Sequence, residues 1–412
     1  MYTTSRRETD TNFIDELRRT CESTNINFLL GAGCSMPTFG TLGNIEQLLE
    51  QLELIGVPSH IADTSEVETE AITSLIEASL KASFFKKAIL PNLTYLSCVT
   101  DDTKQNYQSF CRAAMKLVAK REASTLPKQV TFFVTNYDIC MDVALDQARI
   151  PTNAGYTGRY NPVVDLSDFG RRVTTSTLAL AYQSEIASAN LVKIHGCASW
   201  KKKDGGINFS TEFDLIEEIK KKIDHLKLPI TPDPAAQSQD QNHNAVRHPD
   251  VSDDLQEVIE KASSHASAIN RDDVLELLEA FNRLQIVWPT KQKFHDTVLD
   301  EVYYEQLRRL TNQLEVRNSV LIVAGFSFAD EHIRKLILRA ADTNPTLKVI
   351  ILCYDEQARD QIEGNFAKEC KLGLEKIPNS NIATVITTNN TCGIQGNLDL
   401  KTIASLLEKV TK

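Results

Sequence analysis

Three short stretches carry residues whose types could do chemistry. NFLLGAGCSMPTFG brings Gly31, Ala32, Gly33 and Ser35 after an apolar run, VTNYD brings Asn136 and Asp138, and VKIHG ends in His195. Glycines let a backbone come close to a phosphate, whose oxygens neighbouring amides and a serine hydroxyl can bind. An asparagine amide can orient a hydroxyl or a water, a carboxylate can hold that arrangement, and a neutral imidazole can take a proton near pH 7. Each stretch also has a structural reading. Gly-Ala-Gly can be a plain strand-to-helix turn, Asn136 and Asp138 can cap the helix that follows, and His195 can be a satisfied structural histidine.

Two further stretches end in the same way. GFSFADEH offers Gly325 and Ser327 for close approach to a ligand, while Asp330 and Glu331 can simply start the next helix. LCYD ends in Asp355, an acidic group that suits a ribose diol as well as a helix cap.

The elements that must position these residues follow from the hydrophobic pattern. The opening run, QVTFFVTNYD (129–138), NLVKIHG (190–196), SVLIVAGFSF (319–328), KVIILCYD (348–355) and ATVITTNN (383–390) are short and apolar, without strict alternation. That pattern predicts parallel strands covered on both faces. Helical periodicity lies between them, in FIDELRRTCEST, IEQLLEQLELIG, EAITSLIEASLKASFFKKAIL, SFCRAAMKLVAKREAS, DEHIRKLILRAADT and DEQARDQIEGNFAKECKLG. The expectation is an α/β protein: a Rossmann-like parallel sheet flanked by helices with right-handed crossovers. Residues 42–127 and 205–285 are too long for connections and are expected to be helical insertions. The second contains the polar stretch TPDPAAQSQDQNHNAVRHPDVSDD, expected to be a loop.

Bulk composition narrows the function classes. The 412 residues are 42% hydrophobic and 24% charged, enough to bury one large domain or two ordinary ones. A formal net charge of -10 argues against a surface that is a nucleic-acid or lipid platform throughout. The nine cysteines, at 21, 34, 98, 111, 140, 197, 353, 370 and 392, form no Cys-x-x-Cys pair, so zinc and dithiol readings lack their spacing. No metal is expected. No apolar run reaches bilayer length, and MYTTSRRETDTNF has no apolar core, so a reduced cytoplasmic protein is expected. Cys34 and Cys197 lie beside the candidate stretches, and small buried cysteines are commoner than nucleophiles there. Lys201, Lys202 and Lys203 beside Trp200 read as a solvated turn, and His243 and His248 in the polar loop give little support for metal.

Taken in order, FLLGAGCSMPTFG, VTNYD, KIHG, GFSFADEH and LCYD resemble the sirtuin family of NAD-consuming enzymes. The resemblance spans about residues 27–390 without the two insertions. It looks closest to the bacterial sirtuin-like proteins of anti-phage defence. VWPTKQKFHDTVLDEVYYEQL (287–307) looks like the branch that accompanies HerA-type ATPases. The resemblance implies that Gly31, Ala32, Gly33 and Ser35 surround the phosphates and ribose of NAD. It implies that Asn136 and Asp138 line the nicotinamide ribose pocket, with Thr135 and Tyr137 replacing the family's Gln and Ile. His195 would be the catalytic histidine, Gly325 and Ser327 would hold the adenosine portion, and Asp355 would bind a ribose. Two departures stand out: the family's zinc ribbon has no counterpart, and Pro37-Thr38-Phe39-Gly40 lacks the Asp and Arg of Pro-Asp-Phe-Arg. Both put peptide deacylation in doubt.

The implied activity is cleavage of NAD to nicotinamide and ADP-ribose, arresting a phage-infected cell by NAD depletion. Nicotinamide departs as a neutral molecule from a cationic pyridinium, so the carboxylate pair of ordinary glycosidases is not required. Asn136 and His195 are then the expected catalytic residues. The alternatives are an NAD-dependent deacylase or ADP-ribosyltransferase, and a non-catalytic scaffold that senses NAD or ADP-ribose. A homo-oligomer is expected. The chain carries no Walker motif, so a HerA-type ATPase would be a separate partner and nucleic acid would be met only through it.

Overall fold

The computed structural model describes residues 10–41, 45, 48–49, 51–52, 66–98, 101–121, 125–176, 183–203, 206–226, 228, 253–265, 268–288, 301–368, 377, 379–387 and 396–412. The polar stretch with His243 and His248, most of 45–56, and 289–300 of the segment likened to the ATPase-associated branch lie outside these. The chain divides into two compact units, one of Met1–Thr38, Cys98–Cys197 and Val298–Lys412, the other of Phe39–Ser97 and Ala198–Thr297.

The first unit holds the sheet. Its strands are β1 (Asn25–Leu30), β2 (Gln129–Val134), β3 (Thr152–Asn153), β4 (Ser188–Lys193), β5 (Ser319–Ala324), β6 (Lys348–Leu352) and β7 (Ile382–Val385). All neighbours run parallel, in the order β7-β6-β5-β1-β2-β4-β3. The six strands expected from the sequence are all present. The seventh, β3, is two residues at the edge, too short to leave a hydrophobic pattern. The chain builds outward from β1 through β2 to β4, then returns to the other side of β1 for β5. This is a doubly wound sheet with its switch point between β1 and β5, where such folds open a crevice beyond the carboxyl ends of the strands.

Both faces of the sheet are covered, which is why its strands read as continuous apolar runs. Helices α1 (Asp10–Ser23), α2 (Asp102–Ala119), α3 (Cys140–Gln147), α4 (Glu301–Glu315), α5 (Glu331–Thr343), α6 (Glu356–Ala367) and α7 (Leu400–Val410) belong to this unit. Successive side chains of a strand face opposite ways, and β1 and β2 show it. Phe28 and Phe132 stack with ring centroids 5.4 Å apart, and Phe110 of α2 meets their edges at 5.2 and 5.9 Å. Leu29 and Phe133 point the other way, into a core with Leu310 and Leu314 of α4, Ile333 and Ile337 of α5, and Phe366 of α6. Each fully buried ring or aliphatic chain of this kind stabilises the fold by roughly 1.5–3 kcal/mol.

Helix α2 lies within the 42–127 stretch read as an insertion, yet it packs against α3, α7 and β2 of the first unit. Its buried Tyr107, Phe110, Cys111, Ala114, Met115 and Val118 recur at helical spacing, one stripe aimed at the sheet. The second unit is mostly helical. The helix Arg271–Asn282 packs on Asp214–Leu226 and on Glu66–Phe84, and Phe281 meets Phe85 and Trp288 edge-on. There Trp200–Lys203 pairs antiparallel with Gly206–Phe209, and Lys201 forms ion pairs with Glu212 and Asp214. No helix among the described residues is long and apolar enough to cross a membrane.

Candidate functional site

Strand register brings the candidate residues to one level. Leu30 of β1 lies opposite Val134 of β2 and Ala324 of β5, and Val134 lies opposite Lys193 of β4. The ladder runs one residue further, through Gly31 N to Ala324 O (3.0 Å), Thr135 N to Leu30 O (3.1 Å) and Ile194 N to Val134 O (2.9 Å). Four loops therefore leave the sheet side by side at its carboxyl edge. Asn136 and His195 each follow the paired residues Val134 and Lys193 by two positions.

The glycines have a use that needs no ligand. A Cβ on Gly31 would lie 2.4 Å from Gly325 O, and one on Gly325 would lie 2.4 Å from Cys34 N. Gly325 also has φ +60, the left-handed region that glycine tolerates best. The loop after β1 thus presses its backbone onto the loop after β5. Gly31 N and Gly33 N donate to Ala324 O and Gly325 O, and Cys34 N donates to Gly31 O at 3.0 Å. These three amides are committed, so any phosphate at this loop must find its donors elsewhere.

Ser35 is the hub of a buried network. Its hydroxyl has one proton, which goes to Asp138 Oδ2 at 2.7 Å. It accepts from Asn136 Nδ2 at 2.9 Å and meets the Tyr107 hydroxyl at 2.8 Å. With its one proton given to Asp138, Ser35 can only accept from Tyr107, so tyrosine is the donor in that bond; burial first, then the neighbouring Asp138 carboxylate, holds its phenol well above the ordinary value. The hydroxyl's donor and both acceptor sites are then filled. Asp138 also accepts from Cys140 N at 3.0 Å, one position ahead of the α3 N-cap Ile139, so it holds the approach to the helix as well as the network.

Asn136 is held by the other half of its amide. Nδ2 donates to Gly31 O at 3.0 Å as well as to Ser35, and this fixes which end of the amide is which. Oδ1 is buried and accepts no hydrogen bond from any described residue. A buried carbonyl oxygen left so costs about 1–3 kcal/mol, which a ligand donor would recover.

Beneath the loop, Lys193 Nζ donates to Asp138 O at 2.6 Å and pairs with Asp142 Oδ2 at 2.9 Å. Burial pulls this ammonium down, but Asp142, Cys197 and Asp138 together more than reverse it, and the net shift is upward. Cys197 Sγ donates to the same carbonyl at 3.6 Å. His195 is buried, with Nε2 3.3 Å from Asp330 Oδ2 and its ring facing Tyr137 at 6.3 Å between centroids.

The remaining candidates are distributed as follows. Ser327 is exposed, its carbonyl accepting from Asn365 Nδ2 at 3.0 Å. Asp355 caps α6, accepting from Ala358 N at 2.8 Å. Ala32 is half-buried in the 3-10 turn Ala32–Ser35. Burial pushes the Cys34 thiol up to about 12, the behaviour of an inert buried cysteine. Cys370, Cys392, His243 and His248 lie outside the described residues, and among those described no cluster of His, Cys, Asp and Glu is arranged to hold a metal. Tyr107, Lys193, Asp142 and the Asp330 contact to His195 were not singled out in the sequence. Tyr107 had a signal, being the polar tip on the apolar stripe of α2.

Fold and site together define a doubly wound α/β protein with a buried polar network at the carboxyl edge of its sheet. No family model matches the chain, and no curated protein matches it either.

Proposed function

We propose that the chain is an NAD+ glycohydrolase, releasing nicotinamide and leaving ADP-ribose. The observation that carries this reading is the buried, unpartnered Oδ1 of Asn136 at the carboxyl edge, next to the loop that bears His195. A hydrogen-bond acceptor held that rigidly suits a ribose hydroxyl or the attacking water. In the reaction the C1′–N bond breaks with its electron pair passing to the pyridinium nitrogen, and nicotinamide leaves neutral. Water adds at C1′, and His195 takes the proton it sheds. Asn136 Oδ1 accepts from the hydroxyl or water and keeps it aligned, which is worth orders of magnitude in rate. Ser35, already saturated, acts by holding Asn136 and Asp138 rather than by touching substrate.

The resemblance carried by the strand ends supports the same substrate and supplies its setting. It points to NAD depletion in anti-phage defence, a homo-oligomer and a separate HerA-type ATPase. The test is nicotinamide release from NAD by purified protein, wild type beside Asn136→Ala and His195→Ala. Release by wild type, with each variant down at least about 10²-fold, is the expected result. NAD binding without release, alone or with the ATPase, would leave the scaffold reading in its place. Transfer of ADP-ribose or loss of an acyl group from a labelled peptide would favour the transferase or deacylase.

A further inference from the structure

We infer that Asp330 is a positioning residue that fixes the tautomer of His195, an inference that rests on the hydrolase reading for its effect on rate. The two oxygens of Asp330 have separate tasks. Oδ1 caps α5, accepting from His332 N at 3.1 Å and Ile333 N at 3.2 Å. Oδ2 lies 3.3 Å from His195 Nε2, an ion-pair contact slightly longer than the usual range of roughly 2.7–3.2 Å for an N–H···O hydrogen bond.

The loop that delivers the carboxylate is itself locked. Phe328 is buried with φ +58, a backbone conformation that costs a bulky residue and persists only where its surroundings over-determine it. Its ring packs between Phe326 and Phe366 at 5.0 and 4.7 Å, and Arg334 Nη1 donates to Phe328 O at 2.6 Å. The turn from Gly325 to Asp330 therefore ends at a set position against the imidazole.

A carboxylate only accepts hydrogen bonds, so in the neutral ring the proton belongs on Nε2 and the lone pair on Nδ1. When the ring takes a proton, the imidazolium that results faces Asp330 Oδ2. In Asp330→Asn the two cap amides still require an acceptor, so the new amide keeps its oxygen on α5 and turns its NH2 toward His195. An NH2 donates, so Nε2 must accept and the proton must move to Nδ1. The substitution preserves the cap and inverts the tautomer.

The experiment labels the full chain with 15N-histidine and reads the ring nitrogens of His195, identified by the resonance lost in His195→Gln. Wild type is expected to show Nε2 protonated in the neutral ring, and Asp330→Asn to show Nδ1 protonated. A carboxylate that sets an imidazole's tautomer is worth up to about 10⁴-fold in rate, so kcat for nicotinamide release should fall at least about 10²-fold in Asp330→Asn, with KM within about threefold. Asp330→Ser, which keeps a cap but cannot reach the ring, should lose kcat similarly and melt within a few degrees of wild type. The ring spectrum needs no turnover, so a wild type that releases no nicotinamide would sink the hydrolase reading while the spectrum still decides the pairing. An unchanged tautomer in Asp330→Asn, or an unchanged kcat in an active enzyme, would overturn the inference.

Discussion

Ser35→Ala removes one oxygen and strands two neighbours. Asp138 Oδ2 loses its 2.7 Å hydroxyl donor, and the fully buried Tyr107 loses its acceptor at 2.8 Å. Asn136 Nδ2 loses one of two acceptors and keeps Gly31 O. A hydrogen bond to a charged group is worth about 1.5–3 kcal/mol, and a buried polar group left unpaired costs about 1–3 kcal/mol. The variant should therefore lose about 3–5 kcal/mol. Tyr107→Phe alone removes a donor from a hydroxyl that keeps its other bonds, for about 1 kcal/mol. Combining the two should not add their costs, because the second change deletes the group that the first had stranded. Ser35→Ala/Tyr107→Phe should be at least as stable as Ser35→Ala. Trp200 and Trp288, the two tryptophans, both lie in the second unit, so their emission follows that unit. Hydrogen exchange of a peptide covering 129–138 follows the first. If the double variant were less stable than Ser35→Ala by the full cost of Tyr107→Phe, Tyr107 would not be bonded through Ser35 and the proton assignment would fail.

Gly325→Ala forces a Cβ against Cys34 N and a left-handed backbone onto alanine, and should cost roughly 3–5 kcal/mol in urea unfolding; a loss under about 1 kcal/mol would mean the two loops are not in contact. Above about pH 9 the unfolded chain loses its thiol protons while Cys34, pushed up by burial to about 12, keeps its own in the fold. The folded state then binds more protons, so the stability this thiol contributes is complete below about pH 8.5 and is lost as pH rises toward 12, at up to about 1.4 kcal/mol per unit. Cys34→Ala should flatten the fall of stability with pH by that share, and an identical slope would remove Cys34 from the account.

The sheet was legible because its strands are buried on both faces and end in small polar residues, two properties that adjacent residues reveal. Asn136, Asp138 and His195 were legible for the same reason, since each stands just past an apolar run. What was not legible depends on contacts across hundreds of positions. The aspartate of GFSFADEH reads as a helix start and is one, and nothing local announces that its second oxygen meets His195, 135 residues earlier. The Gly-Ala-Gly turn reads as room for a phosphate, but the crowding comes from Gly325. Helix α2 reads as part of an insertion because the strand it covers, β2, comes after it in the chain.

The shared level of the four strand ends also makes the sheet a ruler for the candidate site. Parallel neighbours are joined by long crossovers, so no tight turn is available to take up a miscount locally. Removing one residue from β2 would bring Tyr137 to the height where Asn136 now sits, and would exchange the faces on which Phe132 and Phe133 pack. An error of one in the count would thus cost the core and the buried network together. The spacing from Val134 to Asn136 and from Lys193 to His195 is protected by the same packing that keeps the protein folded.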